Sequence, residues 1–170
     1  MRYLALLFAA LVSAGCGLGT YFEGPKFTDY EPVPADKARL YIYRPEWHWM
    51  SADLTVGVDG ITLAELKGAT YVSVLITPRK LPLNYKVTAQ FQNVLAGLDP
   101  HGHDPLIQRV EARAGQTVFC EFTQELGTPG SPAERRWLYC SEDPAEHEAL
   151  KHCRRTGPEG DWDPRLRSEP

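Results

Sequence analysis

From Ala38 onward the chain alternates between apolar and polar positions. In ARLYIYR (residues 38–44) Leu40 and Ile42 fall on one side and Tyr41 and Tyr43 on the other, and Pro45 closes the run; this is the period-two signature of a strand. LTVGVDGITLAEL (54–66) holds two short runs around Asp59 and Gly60. That dipeptide accepts positive φ at both central positions of a two-residue turn, so it predicts a hairpin. TYVSVLI (70–76) is β-branched or aromatic at most positions and bounded by Gly68 and Pro78, which predicts a strand buried on both faces. YKVTAQF (85–91) sets Tyr85, Val87, Ala89 and Phe91 on one side. LIQRVEA (106–112) and QTVFCEF (116–122) flank Ala114 and Gly115 and predict a second hairpin, and RRWLYC (135–140) predicts a last strand.

Helical chemistry enters only after these runs. Asp143 as N-cap, Pro144 at the first helical position and Glu146 three after the cap form a start signal. At α-helical spacing Ala145, Ala149, Leu150 and Cys153 share one face, expected to pack on the sheet. The expected fold is mainly β: an antiparallel β-sandwich, Ig-like or a similar small two-sheet fold, of about eight strands with a short C-terminal helix.

The ends of the chain lack this periodicity. Residues 17–36 (GLGTYFEGPKFTDYEPVPAD) are rich in Pro and Gly and read as a flexible tether, with the packing of Tyr21, Phe22 and Phe27 onto the domain as the alternative. The tail after Arg155 has little apolar content and is expected to be disordered. The expected organisation is residues 1–15 as a signal peptide, 16–36 as a lipidated N-terminus and tether, 37–155 as the sandwich and 156–170 as the tail.

The signal-peptide reading rests on Arg2 followed by an uncharged run from Leu4 to Ala14. A helix of that length rises about 16 Å, roughly half the hydrocarbon thickness of a bilayer, so it is expected to be removed. The run ends on LVSAGC (11–16), which resembles the lipobox of bacterial lipoproteins, although Ser13 stands where leucine is more usual. The resemblance implies that the Cys16 thiol takes a diacylglycerol and becomes the new N-terminus, and that Gly17 in the following position directs export to the outer membrane. Two or three acyl chains on one residue hold almost permanently. An unlipidated secreted protein is the alternative.

Removal of residues 1–15 leaves 155 of the 170 residues and, through the loss of Arg2, lowers the net charge from −4 to −5. A mildly acidic chain whose basic doublets (Arg135–Arg136, Arg154–Arg155) do not extend has no footprint for nucleic acid. Past Cys16 three cysteines remain, Cys120, Cys140 and Cys153, so one intrachain disulfide at most is expected in an oxidising compartment. Cys120 shares its strand face with Val118 and Phe122, and Cys140 with Leu138. If the two strands pair around the turn at 127–131, positions 120 and 140 fall nearly opposite. Cys120–Cys140 is therefore the expected bridge, with Cys140–Cys153 as the alternative.

The segments VPADKARLYIYRP and VGVDGITLAELKGATYVSVLITP resemble the bacterial family catalogued as domain of unknown function 2846, whose members are frequently predicted lipoproteins. The matching positions are Tyr41, Tyr43, Arg44, Pro45, Asp59, Gly60, Gly68 and Tyr71, within a span of residues 33–78 that is less than a third of the mature chain. This chain departs from the family at Thr77-Pro78-Arg79-Lys80, where a Pro-Gly turn and a histidine are usual. The resemblance implies an envelope lipoprotein and carries over no catalytic residue.

Three clusters hold candidate chemistry. YRPEWHWM (43–50) gathers Arg44, Trp47, His48 and Trp49 in a connection between strands, either a contact surface or a cap on the open end of the sandwich. HGHD (101–104) offers His101, His103 and Asp104, a metal set only if a further ligand comes from elsewhere. Glu148 and His152 lie four apart on the expected helix and read as an exposed pair. No serine lies in a G-x-S-x-G elbow, and no catalytic constellation is visible. The expectation is a non-enzymatic lipoprotein of the cell envelope, membrane-anchored and facing the periplasm. It would need no cofactor and would present its domain to an envelope protein or cell-wall component. The alternative is a ligand- or metal-binding or hydrolytic periplasmic domain with His101 and His103 at its site.

Overall fold

The structure, a computed structural model, describes residues 24–45, 52–89, 106–125 and 135–157. The strands are β1 Ala38–Arg44, β2 Ala52–Val58, β3 Ile61–Leu66, β4 Thr70–Ile76, β5 Arg79–Ala89, β6 Leu106–Ala112, β7 Thr117–Glu125, β8 Arg135–Ser141 and the two-residue β9 Arg154–Arg155. They form two sheets, one ordered β8-β7-β1-β4-β9 and the other β3-β2-β5-β6, here called sheets A and B. The pairings are mostly antiparallel; β1 with β7 and β4 with β9 are parallel. The fold is the expected mainly-β sandwich.

Alternation decides which residues meet between the sheets. Leu40 and Ile42 of β1, Val72 and Val74 of β4, Val118, Cys120 and Phe122 of β7 and Leu138 of β8 point inward. There they meet Leu54, Val56 and Val58 of β2, Leu81 and Leu83 of β5 and Val110 of β6. A one-residue slip would turn each of these rows outward, so burial of one face fixes the register. All seven residues of β4 are buried, Thr70 and Ser73 among them, as the nearly continuous apolar run predicts. Asp59 (φ 53°) and Gly60 (φ 80°) make the β2–β3 turn with the positive φ that it needs.

Two expectations about sheet B are corrected. The runs around Ala114 and Gly115 do not form a hairpin: β6 pairs with β5 in sheet B, and β7 pairs with β1 and β8 in sheet A. The turn at Arg113–Gln116 reverses the chain, as its sequence signals, but it also carries the chain across the core. β5 also begins at Arg79, well before the expected run, and passes through Pro82. Proline is tolerated here because the β2 pairing ends at Val58↔Leu83, so no ladder donor is required of residue 82 on that side.

The outer face of sheet A is a second apolar layer. Tyr41, Tyr43, Tyr71 and Phe119 are covered by Leu150 and Cys153 from below the C-terminal helix and by Phe27 from the N-terminal segment. The helix, Pro144–His152, is a 3-10 helix capped by the Asp143 carboxylate, which accepts from the Ala145 N–H at 2.9 Å. It is kinked at His147 (φ −121°, ψ 37°). The kink and the tighter winding rotate the expected face: Leu150 and Cys153 are buried, Ala145 is exposed, and His147 turns inward.

Residues 24–36, expected within a flexible tether, are instead a strap bound along this face. Arg155 N–H donates to Pro25 O at 2.8 Å and Phe27 N–H to Cys153 O at 3.0 Å, extending sheet A past β9 by one bridge. The described chain continues past Arg155: Thr156 N–H donates to Tyr71 O at 2.7 Å, and a Cβ at Gly157 would lie 3.3 Å from Val72 and Ala64.

Candidate functional site

Tyr43 faces outward from the centre of sheet A and is fully buried, so its hydroxyl needs a partner within the protein. It donates to Glu121 Oε2 at 2.6 Å, from the neighbouring strand β7 at the register position Tyr43↔Glu121. The same oxygen lies 2.8 Å from His147 Nδ1. Because the Tyr43 proton is committed to Glu121, Nδ1 must carry the hydrogen, and the neutral ring presents Nε2 as an acceptor. Ser141 Oγ stands 3.0 Å from Nε2 and is its donor. The result is a directed chain, Ser141 to His147 to Tyr43 to Glu121, from the end of β8 through the helix to the middle of the sheet.

Its electrostatics follow from burial. His147 is wholly buried, and desolvation holds its pKa below the ordinary imidazole value, opposed by the charges of Glu146 and Asp143. Burial, then the bond to Glu121, pushes the Tyr43 pKa far above that of a free tyrosine. At neutral pH both rings are therefore uncharged, and Glu121 Oε2 ends the chain as its last acceptor. Ser141 also accepts from the Asp143 N–H at 3.3 Å, and Tyr139 O–H donates to Glu146 at 2.8 Å just outside. The bonds from Ser141 through His147 and Tyr43 to Glu121 clasp helix to sheet.

A second polar cluster holds the strap. Arg39 is buried on β1 and donates to Ser73 Oγ at 2.9 Å, to Pro32 O at 3.2 Å and to the Glu31 carboxylate, with which it is ion-paired. Arg155 donates to the other oxygen of Glu31 at 2.8 Å, and the Tyr41 hydroxyl accepts from the Glu31 N–H at 2.8 Å. One carboxylate on the strap thus bridges two guanidinium groups of the sandwich, a charge-assisted arrangement stronger than neutral hydrogen bonds.

Among the described residues no segment covers the outer face of sheet B in this way. A cross-strand row, Thr62–Gly57–Asn84–Ile107, runs across all four strands, and with Thr55, Lys86 and the β2–β3 turn it lines an open cleft of about 350 Å³. Ile107 is 67% exposed at its rim.

The structure sorts the residues singled out from sequence. Cys120 and Cys140 are register partners and form the expected disulfide, on the inward face of sheet A. The alternative bridge is excluded: Cys153 stands outside any disulfide, its buried thiol donating to Ala149 O at 3.4 Å. Arg44, expected in a surface loop, is buried at the end of β1 opposite Thr70. Its three companions Trp47, His48 and Trp49, the expected lipidation site Cys16, and His101, His103 and Asp104 lie outside the described residues. Glu148 pairs with Lys151 at 2.7 Å, not with His152. Among the described residues no three His, Cys, Asp or Glu side chains gather as metal ligands.

Sequence reading missed His147, Ser141, Glu121, Glu31, Arg39 and Arg155. The available signal was indirect: two tyrosines on the outward face of β1 that demand both apolar cover and hydroxyl partners. A scan against models of known protein families finds no match to this chain. A search of the curated proteins finds none either.

Proposed function

We propose that this chain is a non-enzymatic lipoprotein of the bacterial cell envelope. It is anchored through lipid on Cys16 and presents the β-sandwich to another envelope component, an unidentified protein or cell-wall partner. The observation that carries the reading is the LVSAGC pattern at the end of a short uncharged run, placed eight residues ahead of the ordered strap at Gly24. A disulfide that suits an oxidising compartment supports the same address.

The two faces of the sandwich support the division of labour. Sheet A is covered on its outer side by the protein's own strap and helix, whereas sheet B keeps a polar and apolar cleft open. That open face is the surface offered to the partner, outer-membrane attachment with the domain in the periplasm being the address. Fractionation of cells expressing the full chain and its Cys16→Ser variant tests the anchor. Wild type is expected in the membrane pellet and the variant in the soluble fraction; an identical distribution overturns the proposal.

A further inference from the structure

Sheet B carries a recess and a protrusion in one cross-strand row. In Thr62–Gly57–Asn84–Ile107 the glycine contributes no side chain and floors the cleft, while Ile107, two strands away, is 67% exposed. Glycine is required at the floor, since a Cβ there would lie 2.6 Å from Ile61 O. Asn84 stands midway, one strand from the recess and one from the protrusion. We infer that sheet B pairs face to face with sheet B of a second copy of this chain, about a twofold axis along β5, so that Ile107 of each copy fills the recess over Gly57 of the other. The second copy is then the envelope protein of the lipoprotein reading, on which the setting rests.

Symmetry makes the fit reciprocal. A half-turn about an axis parallel to β5 exchanges the strands on its two sides, β2 and β6, and keeps every row at its own level. β6 of one copy then lies over β2 of the other, and Ile107 meets Gly57 because the two share a row. An isologous contact needs a surface that matches itself, and a recess and a protrusion at equal distances from the axis supply that match. On the axis Asn84 faces its own copy, and a carboxamide, with donor N–H groups and an acceptor oxygen, is complementary to itself. Packed sheets stand about 10 Å apart, a gap that two asparagine side chains span. Covering Ile107 removes apolar surface from water, the non-directional part of the attraction.

The same half-turn brings charges together. Arg109 is exposed on β6 and pairs in register with Pro82. Asp59 N–H donates to Pro82 O at 3.2 Å, so Arg109 of one copy comes level with Asp59 of the other. Asp59 is ion-paired with Arg79 and keeps 29% of its side chain exposed. Lys80 and Lys86 lie on β5 and face their own copies. Lys80 is paired with Glu111 at 3.8 Å; Lys86, exposed on its row with Thr55, sets a like charge against the contact. Glu65 lies on β3, beyond β2 and outside the overlap. An interface this small and polar associates weakly, and anchoring the copies in one surface raises their effective concentration.

The test uses the full chain expressed in cells, with a cysteine at position 84 or 62 and a short bismaleimide as the crosslinker. Position 84 lies on the axis, so Asn84→Cys should join two copies. Thr62→Cys, in the same row, is displaced from its mate by four strand spacings, about 19 Å, and should give on the order of tenfold less dimer. Cys153 is buried, and the unsubstituted chain sets the background. Adding Ile107→Asp to Asn84→Cys should cut the dimer about tenfold, as loss of an anchor does, with the urea midpoint unmoved because the position is exposed. Lys86→Gln should raise the dimer yield. Equal dimer from positions 84 and 62, adducts of another mass from position 84, dimer indifferent to Ile107→Asp, or a lower yield with Lys86→Gln overturns the inference. Chain that reaches the membrane pellet and gives no dimer through position 84 overturns it while the anchor stands. Chain in the soluble fraction that still joins through position 84 supports it while the anchor fails.

Discussion

The outer faces of the two sheets received opposite treatment from one sequence. On sheet A the outward positions of β1, β4 and β7 are Tyr41, Tyr43, Tyr71 and Phe119, and the chain returns twice to cover them, with the strap and with the 3-10 helix. On sheet B the outward positions are Thr55, Asn84, Lys86 and Ile107, and no described segment covers the cleft that they line. Aromatic outward rows need burial and partners for their hydroxyls; threonine, asparagine and lysine do not. The closed face is thus a second core, and the open one carries none of the aromatic residues that demand cover.

The difference should appear as a gradient of mutational cost. Phe27→Ala removes the ring that seals the aromatic layer and should destabilise the domain by about 3 kcal/mol, read as a shift in urea midpoint. A cost below about 1 kcal/mol would mean that the strap is not part of the folded unit. Reduction of Cys120–Cys140, which closes a twenty-residue separation, should cost about 3 kcal/mol in the chain-entropy account. The strap should survive it, because the bridge lies on the inward face; loss of strap protection to hydrogen exchange on reduction would contradict the layering.

The helix clasp contributes a pH term. Burial lowers the His147 pKa in the fold, so the unfolded chain binds more protons below about pH 6.5 and stability falls as pH drops through that value toward the lowered one. Above about pH 6.5 this contribution is fully present. The slope is at most about 1.4 kcal/mol per pH unit, and His147→Gln should flatten it in urea titrations from pH 7 to 5. An unchanged slope would place the titrating group elsewhere. At the bottom of the gradient, Ile107→Ala on the open face should change stability by about 0.5 kcal/mol or less while weakening capture of the envelope partner; a large loss of stability would show that this face is core.

What the sequence disclosed follows the same division. β1, the β2–β3 hairpin, β4 and β8 were readable because each pairs or alternates locally, and Cys120–Cys140 followed once β7 and β8 were set side by side. The crossing between β6 and β7 was not readable. A turn signal such as Ala114-Gly115 records a reversal of direction, whereas sheet membership depends on β1 pairing in parallel with β7 from far away in the chain. The strap was legible only as the alternative to a tether, through Phe27, because it is held by single anchors, Phe27 and Glu31, separated by residues of loop composition, and single anchors leave no period. His147 escaped because α-helical spacing places Ala145 inward, and only the kink at φ −121° brings the imidazole to Tyr43.

The account as a whole turns on the state of one cysteine. Mass spectrometry of the N-terminal peptide from chain isolated out of cell envelopes tests it directly. The account predicts a peptide that begins at Cys16 and carries the mass of a diacylglyceryl group; an N-terminal peptide that retains residues 1–15, or that holds Cys16 as a free thiol, would contradict it.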